Sequence, residues 1–285
     1  MNRHDFLSVV HAAYKPRNYV EIGINDGRGL QRSSTRTIGV DPAFKITAEV
    51  DCDLQLVKAT SDDFFARENA IARFPEGVID FAFIDGLHIF EFALRDFMNT
   101  EKLAGPNSVI IFDDMLPRSV PEAARERHTQ EWTGDVFKVA AVLERYRPDL
   151  VVVPLDTEPT GLLLVLGADP SSKVLDENYE AILAEYVADD PQVVPHEILH
   201  RTQAADPSRV VASPVWGDLA AAREAGTRST RMEELRELRG TARYVSNPPK
   251  PAPWPAVKAR PAAAKAAASA PTLTRRVRQA IKNRL

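Results

Sequence analysis

The sequence predicts an α/β fold: a doubly wound, mostly parallel sheet of seven strands, followed by a helical extension and a basic tail. Three observations lead there. Short apolar runs alternate with helical patterns through the first 170 residues, the arrangement that builds a parallel sheet with crossover helices. Five consecutive runs end in acidic or glycine-rich residues, at the carboxyl edge where open parallel sheets bind ligands. Beyond residue 245 the composition narrows to Pro, Ala and Lys, which bury too little apolar surface to fold. The expected division is a sheet domain over residues 1–170, a helical extension over 171–245, and a linker with a basic tail, expected to be disordered, over 246–285.

Taken in order, the strands are expected at residues 18–21, 37–41, 54–58, 79–85, 108–113, 150–154 and 162–166. A helical pattern at 6–14 precedes the first strand, and another at 62–73 follows the third. Residues 89–103 place Phe90, Ala93, Leu94 and Phe97 on one helical face, and 136–146 continue the alternation. The connection between the first two strands has room for little more than two helical turns. In the extension, 179–187 and 232–238 carry the clearest helical patterns, and the closing TLTRRVRQAIKNRL suits a short basic amphipathic helix.

With 285 residues, 44% hydrophobic and 27% charged, the chain has the size and composition of one large globular domain with appendages. No apolar run is long enough to cross a bilayer, and the opening MNRHDFLSVVHAAY lacks the apolar core of a signal peptide. Cys52 is the sole cysteine, which excludes an internal disulfide. A cytoplasmic location is the expectation from these features. The net charge of −4 conceals an asymmetry: residues 248–285 hold nine Lys or Arg and no acid, leaving 27 basic against 40 acidic residues elsewhere. An acidic body argues against a nucleic-acid substrate. The basic tail suits either a solubilising extension or contact with an anionic surface or protein partner.

The strand ends carry the chemistry. After the first strand comes Glu21-Ile22-Gly23-Ile24-Asn25-Asp26-Gly27-Arg28-Gly29, and the second ends at Asp41, twenty residues beyond Glu21. Thr60-Ser61-Asp62-Asp63 follows the third strand, Asp85 closes the fourth, and Asp113-Asp114 closes the fifth. A glycine loop permits close backbone approach to a ligand, and an acid at the position of Asp41 suits a ribose diol. The loop reads ExGxxxGxG; its leading acid disfavours phosphate and favours an amine-bearing ligand.

This combination resembles motif I of the class I S-adenosylmethionine-dependent methyltransferases, whose fold is Rossmann-like. FIDGLHIFEFALRDF, LAGPNSVIIFDDM and WTGDVFKV further resemble the cation-dependent O-methyltransferases of sugars and other hydroxylated natural products, over roughly residues 17–167. The resemblance implies S-adenosylmethionine bound by Glu21, Gly23, Asn25, Gly27, Asp41, Ser61, Asp62 and Asp85. It also implies a divalent cation, Mg²⁺ or another, on Asp85, Asp113 and Asp114, with His88 as base beside Asp85. The acceptor is then a small hydroxylated molecule, a sugar among the possibilities. The physical logic agrees: a hard cation bound to carboxylates acidifies a coordinated hydroxyl, and a nearby imidazole accepts its proton. Residues 115–133, rich in charge, are the expected lid or acceptor loop.

Each residue also has a plainer use. Asp85 can cap the helix that follows, His88 can be a solvated surface histidine, and Asp114 can act outside the metal. Asp62 can cap its own helix or touch adenine. Two other functions stay open: a metal-free methyltransferase with His88 as base, and a non-catalytic cofactor-binding or scaffold module. His196-Glu-Ile-Leu-His200 matches the HExxH pattern of zinc proteases, but no third histidine follows it.

Overall fold

The computed structural model describes residues 1–242. The basic tail and the helical pattern expected at its end lie outside the described residues. Seven strands form one sheet: β1 (Asn18–Ile22), β2 (Arg36–Val40), β3 (Leu54–Val57), β4 (Ile79–Ile84), β5 (Ala104–Phe112), β6 (Val151–Leu155) and β7 (Leu162–Leu166), in the order β3-β2-β1-β4-β5-β7-β6. All neighbours pair in parallel except β7, which runs antiparallel between β5 and β6. The chain order reverses at β1 and β4, so the crevice outside their carboxyl ends is the natural binding place.

Strand register aligns the residues just beyond the strands. Ile22 pairs with Val40 and Ile84, and Ile84 pairs with Phe112. The next residues in each chain segment, Gly23, Asp41, Asp85 and Asp113, therefore stand in a row along one edge.

The central strands are buried on both faces, which is why they read as nearly unbroken apolar runs. On one face Val20, Ile22, Ala82 and Ile84 pack with α3 (Phe90–Glu101), α4 (Lys138–Tyr146) and α5 (Val174–Tyr186). On the other, Tyr19, Phe81 and Phe83 pack with α1 (Arg3–Tyr14) and the C-terminal helices α7 (Pro207–Val211) and α8 (Val215–Glu224). The residues after 171 thus complete the covering of the sheet and share its two cores. Trp216 is 1% exposed, with its indole N–H donating to the Val210 carbonyl at 2.9 Å. A buried side chain of this size is worth roughly 3 kcal/mol.

Several boundaries move for local reasons. α1 starts at Arg3, earlier than the apolar spacing suggests, because the Asn2 side chain accepts from the Asp5 N–H at 3.0 Å and caps it. The helix expected at 62–73 is only α2 (Ser61–Phe65); turns at Asn69 and Ile71 then bury Ile71 and Phe74 without a continuous helix. Between β1 and β2 there is a single 3₁₀ turn, Leu30–Arg32. The pattern at 232–238 is also 3₁₀, with Met232 and Leu235 buried three residues apart. His196-Glu-Ile-Leu-His200 forms only the four-residue helix α6 (His196–Leu199), where the two imidazoles stack 4.1 Å apart. No third metal-ligating side chain joins them among the described residues. No helix among the described residues is long and apolar enough to cross a membrane.

Candidate active site

Glycine is required where β1 opens into the loop. Gly23 has φ of +85°, and a Cβ there would lie 1.8 Å from the Asp85 carbonyl oxygen. Only glycine lets this loop pass over the end of β4. Asn25 is also left-handed; its N–H donates to Asp41 Oδ2 at 3.0 Å, while Asp41 Oδ1 accepts from the Ala43 N–H at 2.7 Å. Asp41 thereby ties the loop to the end of β2 and still faces a cleft of ≈ 830 Å³.

Gly23, Asn25, Asp41, Ser61 and Asp62 line that cleft, together with Phe92. Glu21, Gly27 and Asp85 lie outside its lining. Glu21 is 2% exposed beneath the loop, accepting from the Tyr19 hydroxyl at 2.6 Å and filling the space beside Gly29. Burial pushes its carboxyl up to about 8, with the Tyr19 hydrogen bond opposing and Asp85 adding to the rise. Gly27 turns the loop at φ of +87°, its N–H donating to the Ile24 carbonyl at 2.8 Å. The capping role considered for Asp62 belongs to Thr60, whose hydroxyl accepts from the Asp63 N–H at 3.1 Å. Both Asp62 oxygens instead accept from Arg95, at 3.0 and 2.7 Å. Behind Ser61, Asp96 is 2% exposed; burial pushes its carboxyl up to about 7 against a hydrogen bond from Ser61.

Beside the cleft, Asp85, His88 and Asp114 bring one ligand atom each to within 4.8 Å of one another. His88 Nε2 lies 3.1 Å from Asp85 Oδ1 and 3.2 Å from Asp114 Oδ2, and its Nδ1 lies 2.7 Å from the Trp132 carbonyl. A carbonyl only accepts, so Nδ1 carries a hydrogen and donates it. His88 is therefore a held group of the cluster, 15% exposed, and not a solvated surface histidine. Asp114 takes a left-handed backbone at φ of +61°, sparsely populated for such a residue, and accepts from the Thr160 hydroxyl. Asp113 turns elsewhere: its Oδ2 meets Arg3 of α1, and its Oδ1 accepts from the Asp114 N–H at 2.9 Å. Burial first, and mutual repulsion second, push the Asp113 carboxyl well above the usual carboxylate range. Burial also raises Asp114, which His88 pulls back down. An acidic cluster under this strain favours a cation.

Sequence reasoning took residues 115–133 as a lid or acceptor loop but gave no individual role to Trp132, Gly134 or Asp135, which hold His88. Trp132 stacks on its imidazole at 5.2 Å between ring centres and donates its own indole N–H to the Ala124 carbonyl at 2.6 Å. At Gly134, φ of +58°, a Cβ would sit 1.5 Å from the His88 carbonyl oxygen. Asp135 reaches across to accept from the Phe90 N–H at 2.8 Å, capping α3. Asp85 is thus relieved of the capping role: Ile89 occupies the N-cap position and makes no side-chain cap. The Gly134-Asp135 pair after an aromatic was the available signal. Nothing in the sequence pointed to Arg3.

Residues 20–115 match the family model described as a methyltransferase domain. By that match this stretch, about a third of the chain, is similar to a methyltransferase domain. No match was found among curated proteins. Solved structures similar to this chain include cofactor-bound Rv0187 from MTB, at 15% identity and a TM-score of 0.44, covering 59% of this chain and 82% of that one. An O-methyltransferase from Bacillus cereus in complex with SAH shows 17% identity and a TM-score of 0.42, over 58% and 80% of the two chains. The O-methyltransferase TomG from Streptomyces achromogenes, involved in tomaymycin synthesis and in complex with SAM, shows 16% and 0.41, over 59% and 80%.

Proposed function

We propose that this methyltransferase moves the methyl group of S-adenosylmethionine to a hydroxyl oxygen of a small molecule, a sugar among the candidates, with a divalent cation on Asp85, His88 and Asp114. One observation carries the reading: His88 Nε2 points at two carboxylate oxygens while Nδ1 donates to a carbonyl. A lone pair on Nε2 would be repelled by these two anions, so this nitrogen either carries a proton and pairs with both carboxylates or shares a cation with them. Metal-ligating histidines are commonly oriented this way, through a carbonyl on the other ring nitrogen. The donor set of one imidazole and two carboxylates fits Mg²⁺ or Mn²⁺.

When bound, such a cation lowers the pKa of a coordinated hydroxyl and fixes its position. The chain's own residues do the rest. Asp41, Asn25, Ser61 and Asp62 receive the nucleoside end of the cofactor in the cleft. Gly23 keeps the loop in contact with Asp85, so cleft and cluster adjoin, and a cofactor held in the cleft would have its methyl group supplied beside the acids. Trp132, packed over His88, excludes water from one side and makes residues 115–133 the acceptor wall. Holding donor and acceptor in line is the main catalytic contribution in a displacement at a sulfonium methyl.

The metal-free reading, in which His88 Nε2 accepts the hydroxyl proton, draws on the same lone pair. Arg3 favours it, since one positive charge already stands among the acids. Calorimetry with S-adenosylmethionine, followed by methyl incorporation into a panel of hydroxylated metabolites with and without chelator, tests both. Failure to bind the cofactor refutes the reading, and activity indifferent to chelation removes the metal.

A further inference from the structure

Resting on the proposed metal site, we infer that Arg3 is a built-in counter-cation: its guanidinium neutralises Asp113, keeps it out of the ligand set, and leaves a site charged for one divalent ion. The N-terminal segment is fixed for this role. Glu158 N–H donates to the Met1 carbonyl at 3.0 Å, and Arg3 N–H donates to the Glu158 carbonyl at 3.2 Å. The helix behind it is anchored by Phe6, Leu7, Val10 and Tyr14, each buried. From that base the Arg3 side chain, 24% exposed, reaches a carboxylate that is 1% exposed.

The charges of the cluster set its capacity. Asp85, Asp113 and Asp114 bring three negative charges; Arg3, permanently protonated, removes one. The balance equals a single divalent cation with neutral His88. The ligand atoms that converge are those of Asp85, His88 and Asp114, and the Asp113 carboxylate is absent from that group. Arg3 also sets how tightly the ion is held, because a guanidinium this close repels a metal through a partly desolvated medium.

The test is a double-mutant cycle read by Mn²⁺ titration alone, without cofactor or acceptor, using calorimetry and the electron paramagnetic resonance of free Mn²⁺. Arg3→Gln should tighten Mn²⁺ binding by about tenfold or more, since it leaves one uncompensated carboxylate nearby. Asp113→Asn should weaken it by a similar factor, by freeing the guanidinium. The double variant should return to within about threefold of the wild type, because the two charges cancel. That recovery also shows that the single variants act through charge and not through misfolding. A double variant as weak as Asp113→Asn makes Asp113 a ligand and overturns the assignment alone, as does wild-type affinity in Arg3→Gln. No Mn²⁺ binding by either the wild type or Arg3→Gln overturns the metal reading itself, and the assignment with it.

Discussion

Replacing Glu21 with Gln should stabilise the protein above neutral pH while leaving it unchanged in mild acid. The side chain is 2% exposed, receives the Tyr19 hydroxyl at 2.6 Å and is packed so closely by the loop that a Cβ on Gly29 would lie 2.3 Å from its Oε1. Its carboxyl is raised from 4.5 to about 8, first by burial. The folded state therefore holds a proton there that the unfolded state releases. The associated stability is fully present below about 4.5 and is lost as the pH rises through about 8. At about 1.4 kcal/mol per tenfold change in proton affinity, the ceiling is roughly 5 kcal/mol. Relaxation of the loop and water entry make about 2–3 kcal/mol the expected effect. Gln keeps the shape and the acceptor for Tyr19 without the charge. Urea unfolding of both proteins at pH 5, 7 and 9 isolates the contribution of this one carboxyl, because every other titrating group, Asp96 included, cancels in the difference. The variant should gain on the wild type from pH 5 up to about 8 and hold that gain to pH 9. Parallel curves would mean that the buried carboxyl ionises at no cost, and the account of the loop's underside would fail.

Other outcomes rest on the same geometry. Gly23→Ala, forced against the Asp85 carbonyl from a left-handed backbone, should abolish detectable cofactor binding in calorimetry and lower thermal stability. His88→Gln should cut methyl transfer by about 100-fold or more while changing cofactor affinity less than about threefold, since His88 lies outside the cleft lining. Glu101→Ala leaves Arg147, which is 2% exposed and bonded to both Glu101 oxygens at 2.7 and 2.6 Å, with the half-exposed Asp149 as its remaining carboxylate at 2.7 Å. Breaking that buried pair should cost about 3 kcal/mol and lower the melting temperature by roughly 10 °C, measured by calorimetry.

The sheet was legible because β1, β4 and β5 are buried on both faces, so the apolar runs mark them without help from context. The strand-end acids were legible for the same reason: each run stops at the residue that leaves the core, and Gly23, Asp41, Asp85 and Asp113 stand at those stops. Alternation alone was a poor guide where turns do the burying. Ile71 and Phe74 reach the core from irregular backbone, and the spacing there imitated a longer helix.

By itself, then, the sequence determined which residues stand at the carboxyl edge, since strand length and the periodicity of two decide where each chain leaves the sheet. What those residues do together was decided by tertiary structure. Asp113 and Asp114 are neighbours in the chain, yet a left-handed turn at Asp114 sends one carboxylate to His88 and the other to Arg3, 110 residues away. The orientation of His88 depends on the Trp132 carbonyl, 44 residues on. Such partners are chosen by packing between elements distant in sequence, and no local pattern encodes a contact of that kind.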